Sequence, residues 1–158
     1  MKTILCGIMT LALAFSSGLL MVPTAAAGED KAKDEVPDIS LADLKQAIAD
    51  KAVTLIDCNG SASYAKGHIP GAINFANAKA TLSDKLPKDK AALVVAYCGG
   101  PMCGAYKAGA EAASKLGYTN VKHFSAGIKG WKEANEPTET ADLCTKCGQP
   151  KGSDDCCK

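Results

Sequence analysis

Residues 91–118 read AALVVAYCGGPMCGAYKAGAEAASKLGY, and no other stretch constrains the fold as strongly. An apolar run with paired valines stops at Cys98. An uncharged loop of Gly99, Gly100, Pro101 and Met102 then leads to a second cysteine, Cys103. Ala105, Ala108, Ala112 and Leu116 recur at helical spacing, which predicts a helix ended by Gly117, with Lys107 and Glu111 as an i,i+4 pair. A strand passing through a short loop into a helix is the repeating unit of α/β folds. In such folds sites form outside the carboxyl ends of the strands.

The same alternation continues on both sides. Ser40 is placed to cap a helix over LADLKQAIAD, with Asp43 at the capping-box position and Leu41, Leu44 and Ile48 on one face. AVTLID is a short apolar run suited to a strand buried on both faces, and it ends in Asp57-Cys58. Pro70-Gly71 breaks the chain before a second short strand within GHIPGAINFA; NAKATLSDKL is weakly helical and PKDK a polar turn. NVKHF predicts a last strand and GIKGW a last helical turn. Together these imply an α/β domain over residues 38–138 with a mainly parallel sheet.

The two ends have a different character. No charge occurs from Thr3 to Gly28, and the run closes in Ala25-Ala26-Ala27 before GEDKAKDE. This is the pattern of a cleavable signal peptide, residues 1–27, which takes Cys6 with it. The apolar stretch is long enough for a membrane anchor, but Ser16-Ser17-Gly18 and the three alanines favour cleavage. The expected location is the periplasm, after export across the inner membrane, with no membrane attachment of the mature chain. Residues 28–37 form a charged linker, and residues 139–158 a cysteine-rich tail with almost no large apolar side chain.

Charge narrows the partners. Loss of Lys2 with the leader leaves 17 lysines against 17 acids, so nothing points to nucleic acid. There is no arginine, hence no bidentate fork for an oxyanion. Seven cysteines remain: Cys58, Cys98, Cys103, Cys144, Cys147, Cys156 and Cys157. An oxidising compartment permits disulfides, and the odd count leaves at least one thiol outside any intramolecular bridge.

A cysteine at the mouth of a strand–loop–helix turn meets inward-facing loop N–H groups and the positive end of a helix dipole. Both favour the reactive thiolate, and Gly99 and Gly100 let the backbone curl. At these residues the chain resembles the rhodanese-like sulfurtransferases. LIDCNGSASYAKGHIPGAINF, VVAYCGGPMCGAYKAGAEAASKLGY and NVKHFSAGIKGWKEANEP are similar to three family motifs in the family's order. The resemblance implies a central, mainly parallel sheet of about five strands flanked by helices. It also implies Cys98 as the nucleophile that takes sulfane sulfur as a persulfide and passes it to a thiol acceptor, with no cofactor required. The donor would be a persulfide, a polysulfide or thiosulfate.

Departures from the family pattern sharpen the reading. Asn59 stands where the family usually has arginine, and the loop is neutral. Anion binding then falls to loop N–H groups and a lysine such as Lys107; a persulfide or polysulfide needs less positive charge than thiosulfate. Phosphatase chemistry is set aside for want of an arginine. Cys103, at the last cradle position, is either a resolving cysteine for Cys98 or a small inward-packing residue. Cys58 either joins the same mouth or fills a core position. Asp57 and His68 are read as fixing the loop and the turn, His123 as surface or packing, and Trp131 as core.

The tail carries CTKC and a terminal CC. Cys144, Cys147, Cys156 and Cys157 offer four soft ligands for zinc or Cu(I), or form two disulfides, or act as a mobile dithiol arm. The leading reading is therefore an exported sulfurtransferase. The alternatives are a thiol–disulfide redox protein using Cys98 and Cys103, and a non-catalytic metal-binding or sensing module built on the tail.

Overall fold

The structure is a computed structural model that describes residues 36–141. The expected signal peptide, all of the linker but its last two residues, and the four tail cysteines lie outside the described residues.

Helix α1 (Leu41–Ala49) starts where the sequence places it. The Ser40 hydroxyl accepts from Asp43 N–H at 3.1 Å and donates to the Asp43 carboxylate at 2.7 Å, satisfying an orphan amide of the first turn. Leu44 is fully buried, with Leu41 and Ile48 packed beside it. Strand β1 (Val53–Asp57) follows, then α2 (Ser61–Lys66), the short β2 (Ile73–Asn74), α3 (Phe75–Ala78) and α4 (Leu82–Lys85). Strand β3 (Leu93–Tyr97) leads through the cysteine loop to α5 (Tyr106–Lys115), β4 (Val121–Phe124) and α6 (Gly127–Glu133).

The four strands form one parallel sheet in the order β2-β1-β3-β4. The sheet separates two apolar clusters, as alternating side chains of a strand covered on both faces require. One face joins Leu55, Val95, Tyr97 and Phe124 to Leu44 of α1 and Trp131 of α6. The other joins Ile56, Val94 and Ala96 to Phe75, Leu82, Ala110 and Ala113. Phe124 and Trp131 meet edge to face at 6.5 Å.

Two expectations need correction. The sheet has four strands among the described residues, where about five were expected. The segment before α1 contributes only a single parallel bridge, Asp38 to His123. Pro37 lends its carbonyl to His123 N–H but has no N–H of its own, and Ser40 starts the helix three residues later, so no strand can extend there. On α5, Glu111 pairs with Lys115 at 2.6 Å and not with Lys107. Glutamate N-terminal to lysine is the better order along a helix. The buried face of α5 is Gly109, Ala110 and Ala113, while Ala105 and Ala108 are exposed. Gly117 ends the helix as expected, with φ 90°.

Backbone pairing continues to the last described residues. Glu139 and His68 exchange N–H···O bonds of 2.9 Å in both directions, and Ala141 N–H donates to Ala65 O.

Candidate active site

The parallel register brings four strand ends into one row: Asn74, Asp57, Tyr97 and Phe124. Cys58 and Cys98 are the next residues after two of them, so both thiols arise at the carboxyl edge of the sheet. All three cysteines of the described residues, Cys58, Cys98 and Cys103, are free.

After Cys98 the chain reverses in a β-turn, with Cys103 N–H donating to Gly100 O at 2.9 Å. Pro101 presets φ at the second turn position, and Met102 keeps a negative φ, which excludes type II. Met102 stands fully exposed at the tip. Gly99 and Gly100 do not adopt positive φ, so the proline turn, and not glycine freedom, curls the loop.

The glycine on which the loop depends is Gly127, the first residue of α6. Its φ is 58°, and a Cβ there would overlap Cys98 O and lie 2.7 Å from Gly100 N. That close approach allows Ile128 N–H to donate to Cys98 O (2.9 Å) and Lys129 N–H to Gly99 O (3.1 Å). With the Cys98 and Gly99 carbonyls held by α6, the amides of Gly99 and Gly100 turn toward the sulfur atoms, and the entry to α5 adds those of Ala105 and Tyr106. Those of Tyr106 and Gly100 face Cys98, and those of Ala105 and Gly99 face Cys103. Sequence reasoning had grouped Gly127 only with a last helical turn; the signal was the glycine directly before Ile128.

Cys98 is completely buried and Cys103 partly exposed. The Cys98 thiol donates to Cys103 O at 2.9 Å. Burial, then the bond with Cys103, raises the Cys98 pKa by more than the two N–H groups lower it. The bond from Cys98 lowers that of Cys103. Of the two thiols, Cys103 is therefore the more acidic. The N–H groups expected to favour a Cys98 thiolate are present, but burial acts against them and raises the Cys98 pKa.

Cys58 is held differently. Its amide donates to Tyr97 O, and its side chain packs into the α5 face of the core. A Cβ on Gly109 would lie 2.6 Å from its sulfur, so α5 closes directly on the thiol. Burial pushes the Cys58 pKa up to about 12. Asp57, also buried, receives Asn59 N–H at 2.7 Å and the Asn59 side-chain amide at 2.9 Å. Asn59 in turn faces Gly99, its Oδ1 lying 3.5 Å from where a Cβ would sit. Asp57 thus braces the loop from the β1 side. Its second oxygen, Oδ2, has no hydrogen-bond partner within normal geometry. Burial and the nearby Asp57 charge raise the pKa of Tyr97, whose hydroxyl accepts from Ile69 N–H at 3.0 Å.

The remaining polar residues lie away from the thiols. His68 is buried, stacked on Tyr64 at 3.6 Å, with Nδ1 2.8 Å from Tyr64 O. His123 is buried against Tyr106, where desolvation lowers its pKa. Trp131 is core and donates to Pro137 O at 2.7 Å. Lys107 is exposed on the first turn of α5. The lysine that does reach the loop is Lys129, whose stem lies 3.6 Å from the Cβ position of Gly100. Sequence reasoning missed it because α6 was not known to cross the loop. Among the described residues no group of three His, Cys, Asp or Glu side chains could hold a metal, and no helix is long and apolar enough to cross a membrane.

A profile described as the Rhodanese-like domain matches residues 40–134, more than half of the chain. The chain belongs to the rhodanese-like family. This rhodanese-like domain is 36% identical over 90 residues to an HTH-type transcriptional regulator of Mycobacterium tuberculosis, covering 55% of this chain and 38% of that protein. The chain thus spans well under half the length of that curated relative. Its fold is similar to a rhodanese-related protein from Thermoplasma volcanium (26% identity, TM-score 0.53, 65% of this chain and 97% of the other). It is also similar to a thiosulfate sulfurtransferase from Pseudomonas aeruginosa (25% identity, TM-score 0.56, 67% and 20%). The rhodanese-like domain thus recurs in a transcriptional regulator and in a sulfurtransferase.

Proposed function

We propose that this rhodanese-like protein is an exported sulfurtransferase that carries sulfane sulfur as a persulfide on Cys98. The observation that carries the reading is the loop itself. A cysteine at the end of a central parallel strand faces the N–H groups of Gly100 and Tyr106, which suit a thiolate or a persulfide anion. The leader-like first 27 residues support export.

The steps balance without a metal or cofactor. Cys103, the more acidic thiol of the pair, acts in its thiolate form as the base that takes the proton of the Cys98 thiol. Cys98 then attacks the outer sulfur of a persulfide donor; the donor S–S bond breaks and its thiolate leaves. Cys98 now bears the persulfide. An acceptor thiolate attacks the outer sulfur, the new S–S bond breaks, and the electron pair returns to Cys98.

Intact-mass measurement of the full chain after exposure to thiosulfate or inorganic polysulfide tests this. Gain of one sulfur atom at the core domain, abolished in Cys98→Ser with the fold retained, is the expected outcome. A Cys98→Ser variant that still loads sulfur on the core domain overturns the assignment.

A further inference from the structure

We infer that Cys103 is a second catalytic residue, which attacks the Cys98 persulfide, closes a Cys98–Cys103 disulfide and releases the sulfur as hydrosulfide. The inference rests on the sulfurtransferase reading and deepens it. A carrier with one thiol must wait for an external acceptor, whereas the pair described here can discharge its own cargo.

Three observations place the second thiol for this step. The β-turn at Gly100–Cys103 folds the chain back, so that Cys103 Cβ comes within 4.0 Å of the Cβ position of Gly99, the neighbour of Cys98. The Cys98 sulfur lies 2.9 Å from the Cys103 carbonyl oxygen, to which its thiol donates. Cys103 is partly open to solvent while Cys98 is sealed, so the two differ in the environment a resolving and a carrying thiol require. The lowered pKa of Cys103 supports the same assignment, because the attacking group in thiol–disulfide exchange is the thiolate. The N–H groups of Gly99 and Ala105 face this second sulfur, so it too sits inside the cradle.

Cys58 does not compete for the role. Its thiol is packed against α5 at Gly109 and held protonated by burial.

The chemistry balances. Cys103 thiolate attacks the inner sulfur, the Sγ of Cys98. The bond between Cys98 and the sulfane sulfur breaks, and that sulfur leaves with the electron pair as hydrosulfide. The sulfane sulfur is reduced, and the two thiols are oxidised to one disulfide. A further round needs an external dithiol, which reduces the disulfide by exchange. The complete cycle is then dithiol-dependent reduction of sulfane sulfur to sulfide.

The test exploits the sequence. Residues 91–107 lie between lysines and contain Cys98 and Cys103 but not Cys58, so one tryptic peptide reports both thiols apart from the tail. The reduced, desalted full-length protein is exposed to thiosulfate or inorganic polysulfide with no thiol added; the protein is then trapped with an alkylating agent, digested and weighed. In the wild type this peptide should lose two hydrogens, and with thiosulfate one hydrosulfide per chain should appear and then cease until dithiothreitol is supplied. In Cys103→Ser, and in Cys103→Ala as a check on folding, it should instead keep one added sulfur. A wild-type peptide that retains the added sulfur overturns the role of Cys103 while leaving the sulfurtransferase intact. Failure of the wild type and both Cys103 variants to react at this peptide overturns both readings together. A disulfide formed with either Cys103 variant contributing Cys98 to another cysteine overturns the Cys103 assignment.

Discussion

Cys58 and Cys98 make a natural comparison within one molecule. Each follows the last residue of a central parallel strand, and the strands are neighbours in register, Asp57 beside Tyr97. The surroundings part there. Cys98 opens a loop in which its own carbonyl and that of Gly99 are engaged by α6, and N–H groups of Gly100 and Tyr106 face sulfur. Cys58 is met at once by the glycine face of α5, with only the Gly109 amide opposing its burial. Position at a strand end therefore does not make a thiol reactive. The segment that closes over it decides, by supplying either donors and a second thiol or hydrocarbon.

The comparison breaks most severely at Gly127. Gly127→Ala places a methyl group on Cys98 O and a side chain in the left-handed region, together costing roughly 3 kcal/mol. Thermal denaturation should show a large loss of stability, and sulfur loading on Cys98 should fall with it. A variant that melts and loads like the wild type would show that α6 does not shape the loop.

The Cys58 side breaks at Gly109. Gly109→Ala drives a methyl group against the Cys58 sulfur and should cost about 2 kcal/mol by overpacking. Adding Cys58→Ala should recover most of that loss, a coupling measurable by a double-mutant cycle in urea. Independent, additive effects would mean that the helix meets β1 elsewhere.

A pH series sharpens the contrast further. Cys58 stays protonated in the fold up to about 12 but has an ordinary value of 9.0. Its contribution is thus fully present below pH 9 and is lost as the unfolded chain ionises, at up to about 1.4 kcal/mol per pH unit above that point. Denaturant midpoints measured from pH 8 to 11 should fall less steeply in Cys58→Ala than in the wild type. Equal slopes would remove burial as the cause of its inertness.

Much of this was legible in the residues. Ser40 and Asp43 specified the start of α1, the apolar runs specified β1 and β3, and Gly117 specified the end of α5, because caps and periodicity act over a few residues. The cysteine pair and its loop were visible for the same reason. What was not legible depended on contacts far apart in sequence. The crossing of α6 over the loop gives Gly127 and Lys129 their importance, and the sealing of Cys98 leaves Cys103 the more acidic thiol. Which face of α5 is buried was not legible, because small alanines recur on several sides of that helix and spacing alone could not choose among them. The pairing of Glu139 with His68 is equally non-local and lies in a stretch whose composition suggested a tail.

The two amides of α6 that hold the loop have a consequence for timing. Ile128 and Lys129 each give their proton to a loop carbonyl, and the sulfur beneath has no solvent contact. Any backbone excursion that brings Cys98 to a donor must also loosen these bonds. Deuterium uptake at those two amides is then a clock for the thiol: the rate at which they open sets the ceiling on how often the carrier can be loaded.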